Sequence, residues 1–356
     1  MKRRRLKPEQ IKRIVVRAPT WVGDVAMSVA AMRELRRLFP SAHITAAARH
    51  VSADLLREAA SVDEVLVQDG SEWLPQVRQW REQQFDLAVL LQNSFQSAAI
   101  AFLARVPIRI GYRTDRRRIV LTHPVDVPAW KHERHEIYYY LNLVRELERF
   151  AYGDSARRHT DPEYTLQISE QRKRTALETL RRNGLRSDSR LALLCPGSIN
   201  SRAKRWPAER FAALCDLLSQ SGVQVALIGS TAELEISREV SARATRKPII
   251  LTGETRVADI TEIISVADLL VTNDTGPAHI AAALGTPVLV IFGPTNPATT
   301  RPFAPNSEII RQPPDCAPCM LRDCPIDHRC MTVITADEVF TRAQRILLRN
   351  RAEVIA

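Results

Sequence analysis

Short apolar runs punctuate the chain at regular intervals, and stretches of helical periodicity separate them. In the second half the runs are LALLCPG (191–197), VQVALIGS (223–230), PIILTG (248–253), LLVTNDTG (269–276) and PVLVIFG (287–293). Each is rich in leucine or β-branched residues, does not alternate with polar residues and closes at or beside a glycine. That is the pattern of strands buried on both faces of a parallel sheet. Between them ERFAALCDLLSQ, AELEISREVSARA, VADITEIISVA and PAHIAAAL repeat apolar residues at helical spacing. Strict alternation of strand and helix predicts a doubly wound α/β domain.

The first half repeats the theme. KRIVVRAP (12–19), HITAAAR (43–49), EVLVQD (64–69), DLAVLLQN (86–93) and IRIGYR (108–113) read as strands, with helices expected over 24–38, 51–59, 71–84, 95–104 and 135–150. Residues 151–172 lose periodicity and read as a linker, and 336–350 reads as a final amphipathic helix. The expected organisation is a Rossmann-like domain over 1–165, a second over 166–335, and a closing helix over 336–356 that packs back on the first domain. Two such domains offer a cleft at the carboxyl ends of their strands, where open α/β sheets bind ligands.

Composition narrows the class. Over 356 residues, 45% hydrophobic and 26% charged, with 12 glycines, the chain is globular and neither collagen-like nor low-complexity. Residues 275–300 carry no Lys, Arg, Asp or Glu, but Pro277, Gly285, Pro287, Gly293 and Pro294 cut them into pieces too short to span a bilayer. The basic start MKRRRLKPEQIKR is not followed by a continuous apolar stretch, so no secretory signal is read and a cytoplasmic protein is expected. The net charge of +11 favours a polyanionic partner, and the excess concentrates in Lys2–Arg5 and Arg113–Arg118.

Candidate chemistry sits where strands end. In NDTGPAHIAAALGTP (273–287) a helix beginning near Thr275–Pro277 would offer its free N–H groups and dipole to an anion, with Asp274, Thr275, Gly276 and His279 crowded on one corner. In PGSINSRAKRWP (196–207) small and polar residues, Ser198 among them, can bring backbone close to phosphate, and Lys204 supplies a point charge for a diphosphate. In GSTAELE (229–235) an acidic residue can accept both hydroxyls of a ribose; Glu233 and Glu235 both stand there, and both also suit the first turn of a helix. In APTWVGDVAMS (18–28) Gly23 permits an unusual turn, and Asp24 opens a helix where it can cap or act as a base. Finally, Cys316, Cys319, Cys324 and Cys330 lie in a loop-like segment, for which a structural zinc or reduced thiols are the alternatives in a reducing compartment.

Together these motifs resemble the ADP-heptose:lipopolysaccharide heptosyltransferases, glycosyltransferase family 9. The resemblance runs through TWVGDVAMSVAAMRELRRLFP, CPGSINSRAKRWP and NDTGPAHIAAALGTPVLVIFGPTNP, and CAPCMLRDCPIDHRC resembles a segment of its heptosyltransferase II-like members. It implies a GT-B architecture, two facing doubly wound domains with an interdomain cleft, the acceptor on the first and the nucleotide sugar on the second. It also implies inversion at the anomeric carbon with no cofactor or catalytic metal. By motif match Asp24 is the catalytic residue, Lys204 binds the diphosphate and Glu233 the ribose; Asp274, Thr275, Gly276 and His279 complete the ADP-sugar site. The implied acceptor is a phosphorylated, lipid-linked core oligosaccharide, which makes the anionic inner leaflet a partner and the protein peripheral to the inner membrane. Arg113, Arg116, Arg117 and Arg118 are then candidate acceptor contacts. A nucleotide-sugar epimerase of the same architecture is the rival enzyme reading. A zinc-bearing nucleic-acid module is disfavoured, because the basic residues are scattered and aromatics are only 6%.

Overall fold

A computed structural model describes residues 6–69, 72–153 and 162–355; the run Lys2–Arg5, position 71 of an expected helix and positions 154–161 of the expected linker lie outside them. The chain divides into two compact units, Met1–Gln167 and Ile168–Ala356. In the first, β1 (Arg13–Arg17), β2 (His43–Ala48), β3 (Glu64–Val67), β4 (Leu87–Leu90), β5 (Ile108–Tyr112) and β6 (His123–Val125) form a parallel sheet in the order β3-β2-β1-β4-β5-β6. In the second, β7 (Leu191–Cys195), β8 (Gln224–Leu227), β9 (Ile249–Ile250), β10 (Leu269–Asn273), β11 (Val288–Phe292) and β12 (Ser307–Arg311) form another, in the order β12-β11-β10-β7-β8-β9. Counted from its own first strand, each sheet has the same order. Each therefore reverses direction beside that strand, between β1 and β4 and between β7 and β10.

That reversal decides where a ligand can enter. Helices on either side of it leave on opposite faces, so the loops at the carboxyl ends of the two strands part and open a crevice. In the second unit Leu270 pairs with Leu193 and Thr272 with Cys195, which brings the ends of β7 and β10 level. Every residue of β7, β10 and β11 is buried, as the unbroken apolar runs require.

Three elements escape the sequence pattern. β6 carries Pro124 and sits at a sheet edge, where a missing N–H is tolerated. β12 is the other edge strand of its sheet and only Ile310 in it is buried. The helix Glu170–Arg182 begins inside the expected linker and buries only Ala176 and Leu180, too thin a stripe to read as a period. The closing helix runs Ala336–Ile355. Val339, Ala343, Ile346 and Leu347 lie in the core of the second unit with Trp206, Phe211 and Leu218, so this face of the helix is part of that unit's core. Among the described residues no helix is long and apolar enough to cross a membrane.

Candidate active site

The reversal in the second sheet is tied together by one side chain. Asn273, the last residue of β10, accepts a hydrogen bond at Oδ1 from Trp206 N (3.0 Å) and donates from Nδ2 to the carbonyls of Pro196 (2.9 Å) and Gly197 (3.1 Å). The loop after β7 is thereby fixed to the end of β10. That loop folds into a short turn, Arg202–Lys204, which carries Lys204 to the next residue of the β10 corner. Lys204 Nζ donates to Asp274 Oδ2 at 2.8 Å and to the Asp274 carbonyl at 3.1 Å. Thr295, in the loop after β11, donates to the same carboxylate oxygen at 2.8 Å. Asp274 is buried and the Lys204 side chain is 26% exposed, so the ammonium is held at the corner with one side toward solvent.

The helix Gly276–Leu284 starts immediately beyond. Thr275 is its N-cap, but the Thr275 hydroxyl makes no capping bond and donates instead toward Asn273 O at 3.3 Å. The Thr275 side chain therefore leaves the head of this helix uncapped, and Gly276 adds no side chain of its own. An N-terminus left in this state favours an anion. His279 is buried in the first turn of the same helix.

Glu233 also belongs to this corner. Its carboxylate accepts from Ser230 N and Ser230 Oγ, each at 2.8 Å, and closes a capping box, so the helix-acid role is present. The same side chain lies against the loop after β7: a Cβ built on Gly197 would fall 2.1 Å from Glu233 Oε1. A larger residue at 197 would have to displace the Glu233 carboxylate from this position. Glu233 also helps burial push the Cys195 thiol up to about 12, which marks how near its charge is to the end of β7. Glu235 is exposed in the following helix and takes no part in this packing. Ser198 is buried, and its carbonyl accepts from Arg205 Nε at 3.1 Å and Nη2 at 3.0 Å. The structure thus gathers Ser198, Lys204, Glu233, Asp274, Thr275, Gly276 and His279 at the carboxyl ends of β7, β8 and β10. Arg205 joins them, as do Asn273 and Thr295, whose roles no local sequence pattern marks.

In the first unit Asp24 stands in the first turn of the helix Val22–Leu38. Gly23 is itself helical, so the turn expected from it does not occur; Trp21 makes the entry with extended backbone. Asp24 accepts a hydrogen bond from the Tyr140 hydroxyl, and burial together with the Asp24 charge drives the Tyr140 pKa well up. Arg17, at the end of β1, donates to Gln92 (2.9 Å) and Gln68 (2.8 Å), and Gln92 in turn donates to Thr20 (3.2 Å), which pins the loop leading to Asp24. Burial lowers the Arg17 pKa to about 10.

The arginine run separates into two kinds. Arg113, Arg116 and Arg118 are exposed, and Arg113 pairs with Asp126. Arg117 is not available to an acceptor. It is fully buried, donates to Tyr112 O at 2.6 Å, to Asn93 Oδ1 at 2.8 Å and to Gln92 O, and burial lowers its pKa to about 10. It is a structural cation bridging the ends of β4 and β5.

The cysteines do not assemble as a zinc site requires. Cys316 and Cys324 are exposed while Cys330 is buried, and among the described residues no group of three or more His, Cys, Asp or Glu side chains is placed to hold a metal ion.

Two doubly wound parallel-sheet units in one chain make a GT-B type α/β fold. The chain belongs to glycosyltransferase family 9 (heptosyltransferase), whose pattern it matches over residues 74–329. It is 32% identical to lipopolysaccharide heptosyltransferase 2 of Salmonella typhimurium strain LT2 over 318 residues, covering 84% of this chain and 88% of that one. It is likewise 32% identical to lipopolysaccharide heptosyltransferase 2 of Escherichia coli K12, over 84% of this chain and 88% of the other. The solved structure of E. coli ADP-heptose LPS heptosyltransferase II matches with a TM-score of 0.83 and 28% identity, over 95% of this chain and 99% of that chain.

Proposed function

We propose that this protein transfers heptose from ADP-heptose to the inner core of lipopolysaccharide, with inversion at the anomeric carbon and without a catalytic metal. The observation that carries the reading is the Lys204–Asp274 pair beside a helix head that its N-cap residue Thr275 leaves uncapped, at the strand-order reversal of the second sheet. The names of the relatives, lipopolysaccharide heptosyltransferase 2 and ADP-heptose LPS heptosyltransferase II, support both the donor and the acceptor.

In this reading the second unit holds the donor. Lys204 and the Gly276 end of its helix take the diphosphate, Glu233 the ribose, and Ser198, Asp274, Thr275 and His279 shape the corner. Charge grows on the ADP oxygens as the glycosidic bond breaks, and groups already held in place stabilise it without reorganising; losing one such donor typically costs about two to three orders of magnitude in rate. Asp24 receives the proton of the acceptor hydroxyl as that oxygen attacks the anomeric carbon from the face opposite ADP. Arg113, Arg116 and Arg118 favour a phosphorylated core oligosaccharide and the anionic inner leaflet on which its lipid is anchored.

The test is ADP release from ADP-heptose with and without a lipid-linked core acceptor, in the presence of a chelator. Acceptor-dependent release, with the new linkage inverted by NMR, supports the proposal. Acceptor-independent turnover of the sugar overturns it in favour of an epimerase, and loss of activity to the chelator removes the metal-free mechanism.

A further inference from the structure

The turn that carries Lys204 is too short to hold itself. Its internal bonds are Lys204 N to Ser201 O at 3.3 Å and Arg205 N to Arg202 O at 3.0 Å, and three-residue turns of this kind have poor hydrogen-bond geometry. What holds it comes from far along the chain, in the cysteine-bearing segment. Ala203 N donates to Arg322 O at 2.9 Å, and His328 Nε2 donates to Ala203 O at 2.5 Å. Ser201 Oγ donates to the carbonyls of Leu321 (3.3 Å) and Arg322 (3.2 Å). Arg202 also pairs with Asp323 at 2.6 Å, but both side chains are well exposed and that pair contributes little.

Both backbone polar groups of Ala203 are therefore taken by one segment. The Ala203 carbonyl belongs to the peptide unit that joins Ala203 to Lys204, so the His328 bond sets the plane from which the lysine side chain departs. A carbonyl only accepts, which requires the proton to be on Nε2. His328 is held in left-handed backbone at φ 58°, an uncommon conformation outside glycine that persists only where its surroundings enforce it.

The same segment grips the other half of the Lys204–Asp274 pair. Met320 N donates to Pro294 O at 2.9 Å, next to the Thr295 whose hydroxyl binds Asp274. Cys330 and Met331 pack over Gly293: a Cβ there would fall 2.3 Å from Met331 Sδ and 3.1 Å from Cys330 Sγ. We infer that the segment from Met320 to His328 is a clamp that positions Lys204 for the diphosphate, with His328 as its positioning residue. This gives the cysteine segment a task at the donor corner, and it rests on the proposal that Lys204 binds ADP.

Calorimetry with ADP on the full chain tests it, using His328→Ala, His328→Gln and Lys204→Ala beside thermal unfolding. One neutral hydrogen bond lost should weaken ADP by about threefold to tenfold in His328→Ala, while Gln, whose amide can replace the Nε2 donor, stays within about twofold. That result, with folded proteins of similar melting temperature, supports the clamp. Wild-type ADP affinity in His328→Ala, while Lys204→Ala has lost it, overturns the clamp and leaves the donor site standing. Unchanged affinity in Lys204→Ala overturns both. Should His328→Ala not fold, Ser201→Ala and hydrogen exchange across residues 201–205 decide: faster exchange with weaker ADP supports the clamp, and no change in either overturns it.

Discussion

Lys204 and Asp274 lie 70 residues apart in the chain and meet at 2.8 Å across the strand-order reversal of the second sheet. The carboxylate is buried and is shared with Thr295, so the lysine has a fixed position before any ligand arrives. A point charge held in advance costs a phosphate ligand less ordering than a free surface lysine would.

Removing that charge should separate binding from stability. Lys204→Met should weaken ADP by about tenfold to a hundredfold, the loss of a charge-assisted bond. It should also destabilise the fold by about 1–3 kcal/mol, because Asp274 keeps its burial and loses its cation. The double variant Lys204→Met/Asp274→Asn should recover most of the melting temperature and none of the ADP affinity. Calorimetry and thermal unfolding on the wild type and these two variants check both halves.

Asp24→Asn separates a first-turn helix acid from a base. Asparagine keeps the shape of aspartate and forgoes about 0.3–1 kcal/mol of charge–dipole interaction, but it cannot take up a proton at neutral pH. Turnover should fall by about a hundredfold or more, the usual weight of a general base, with ADP affinity unchanged. Near-normal transfer would reduce Asp24 to a helix-terminal residue.

Tyr140→Phe keeps the packing of the aromatic ring and removes the hydrogen bond to Asp24. The expected loss in kcat is about threefold to tenfold, the worth of one hydrogen bond. KM for the donor should not move, since the donor corner lies in the other unit. Steady-state kinetics with saturating acceptor measures the split, and wild-type kcat would leave Tyr140 as packing alone.

Arg117→Ala should act on the fold and not on acceptor recognition. It strands the carbonyls of Tyr112 and Gln92 and should cost about 2–4 kcal/mol in denaturant unfolding. Lysine should not rescue it, because an ammonium cannot present donors in a rigid planar fork. Arg116→Ala and Arg118→Ala should leave stability within about 0.5 kcal/mol, as exposed residues do, and raise KM for the phosphorylated acceptor.

Much of this architecture is legible in one sequence because buried parallel strands and amphipathic helices write different periods. β7 and β11 are continuous apolar runs and β10 is one as far as Val271, while the edge strands β6 and β12 are short or half-exposed and leave no run to see. The corner residues Lys204, Asp274 and Thr275 are legible for the same reason, since they follow strands directly. Asn273, Thr295 and Tyr140 were missed because their roles depend on partners brought near only by the fold. Arg117 looks identical to its neighbours in RTDRRR, and nothing local tells which arginine turns inward. The cysteine spacing drew attention to thiols, whereas the contacts that matter in that segment are two backbone carbonyls and a histidine.

The Asn273 amide cannot be exchanged even for its isostere. Aspartate differs from asparagine by one heavy atom and has the same shape. Here the atom is Nδ2, which donates to Pro196 O at 2.9 Å and Gly197 O at 3.1 Å inside the second unit. An oxygen there would donate nothing and would face two carbonyl oxygens with a charge it cannot share. Aspartate at this buried position would therefore push apart the loops after β7 and β10 while leaving both sheets intact. The corner that holds Lys204 beside Asp274 depends on the identity of one atom two bonds beyond the Asn273 Cβ.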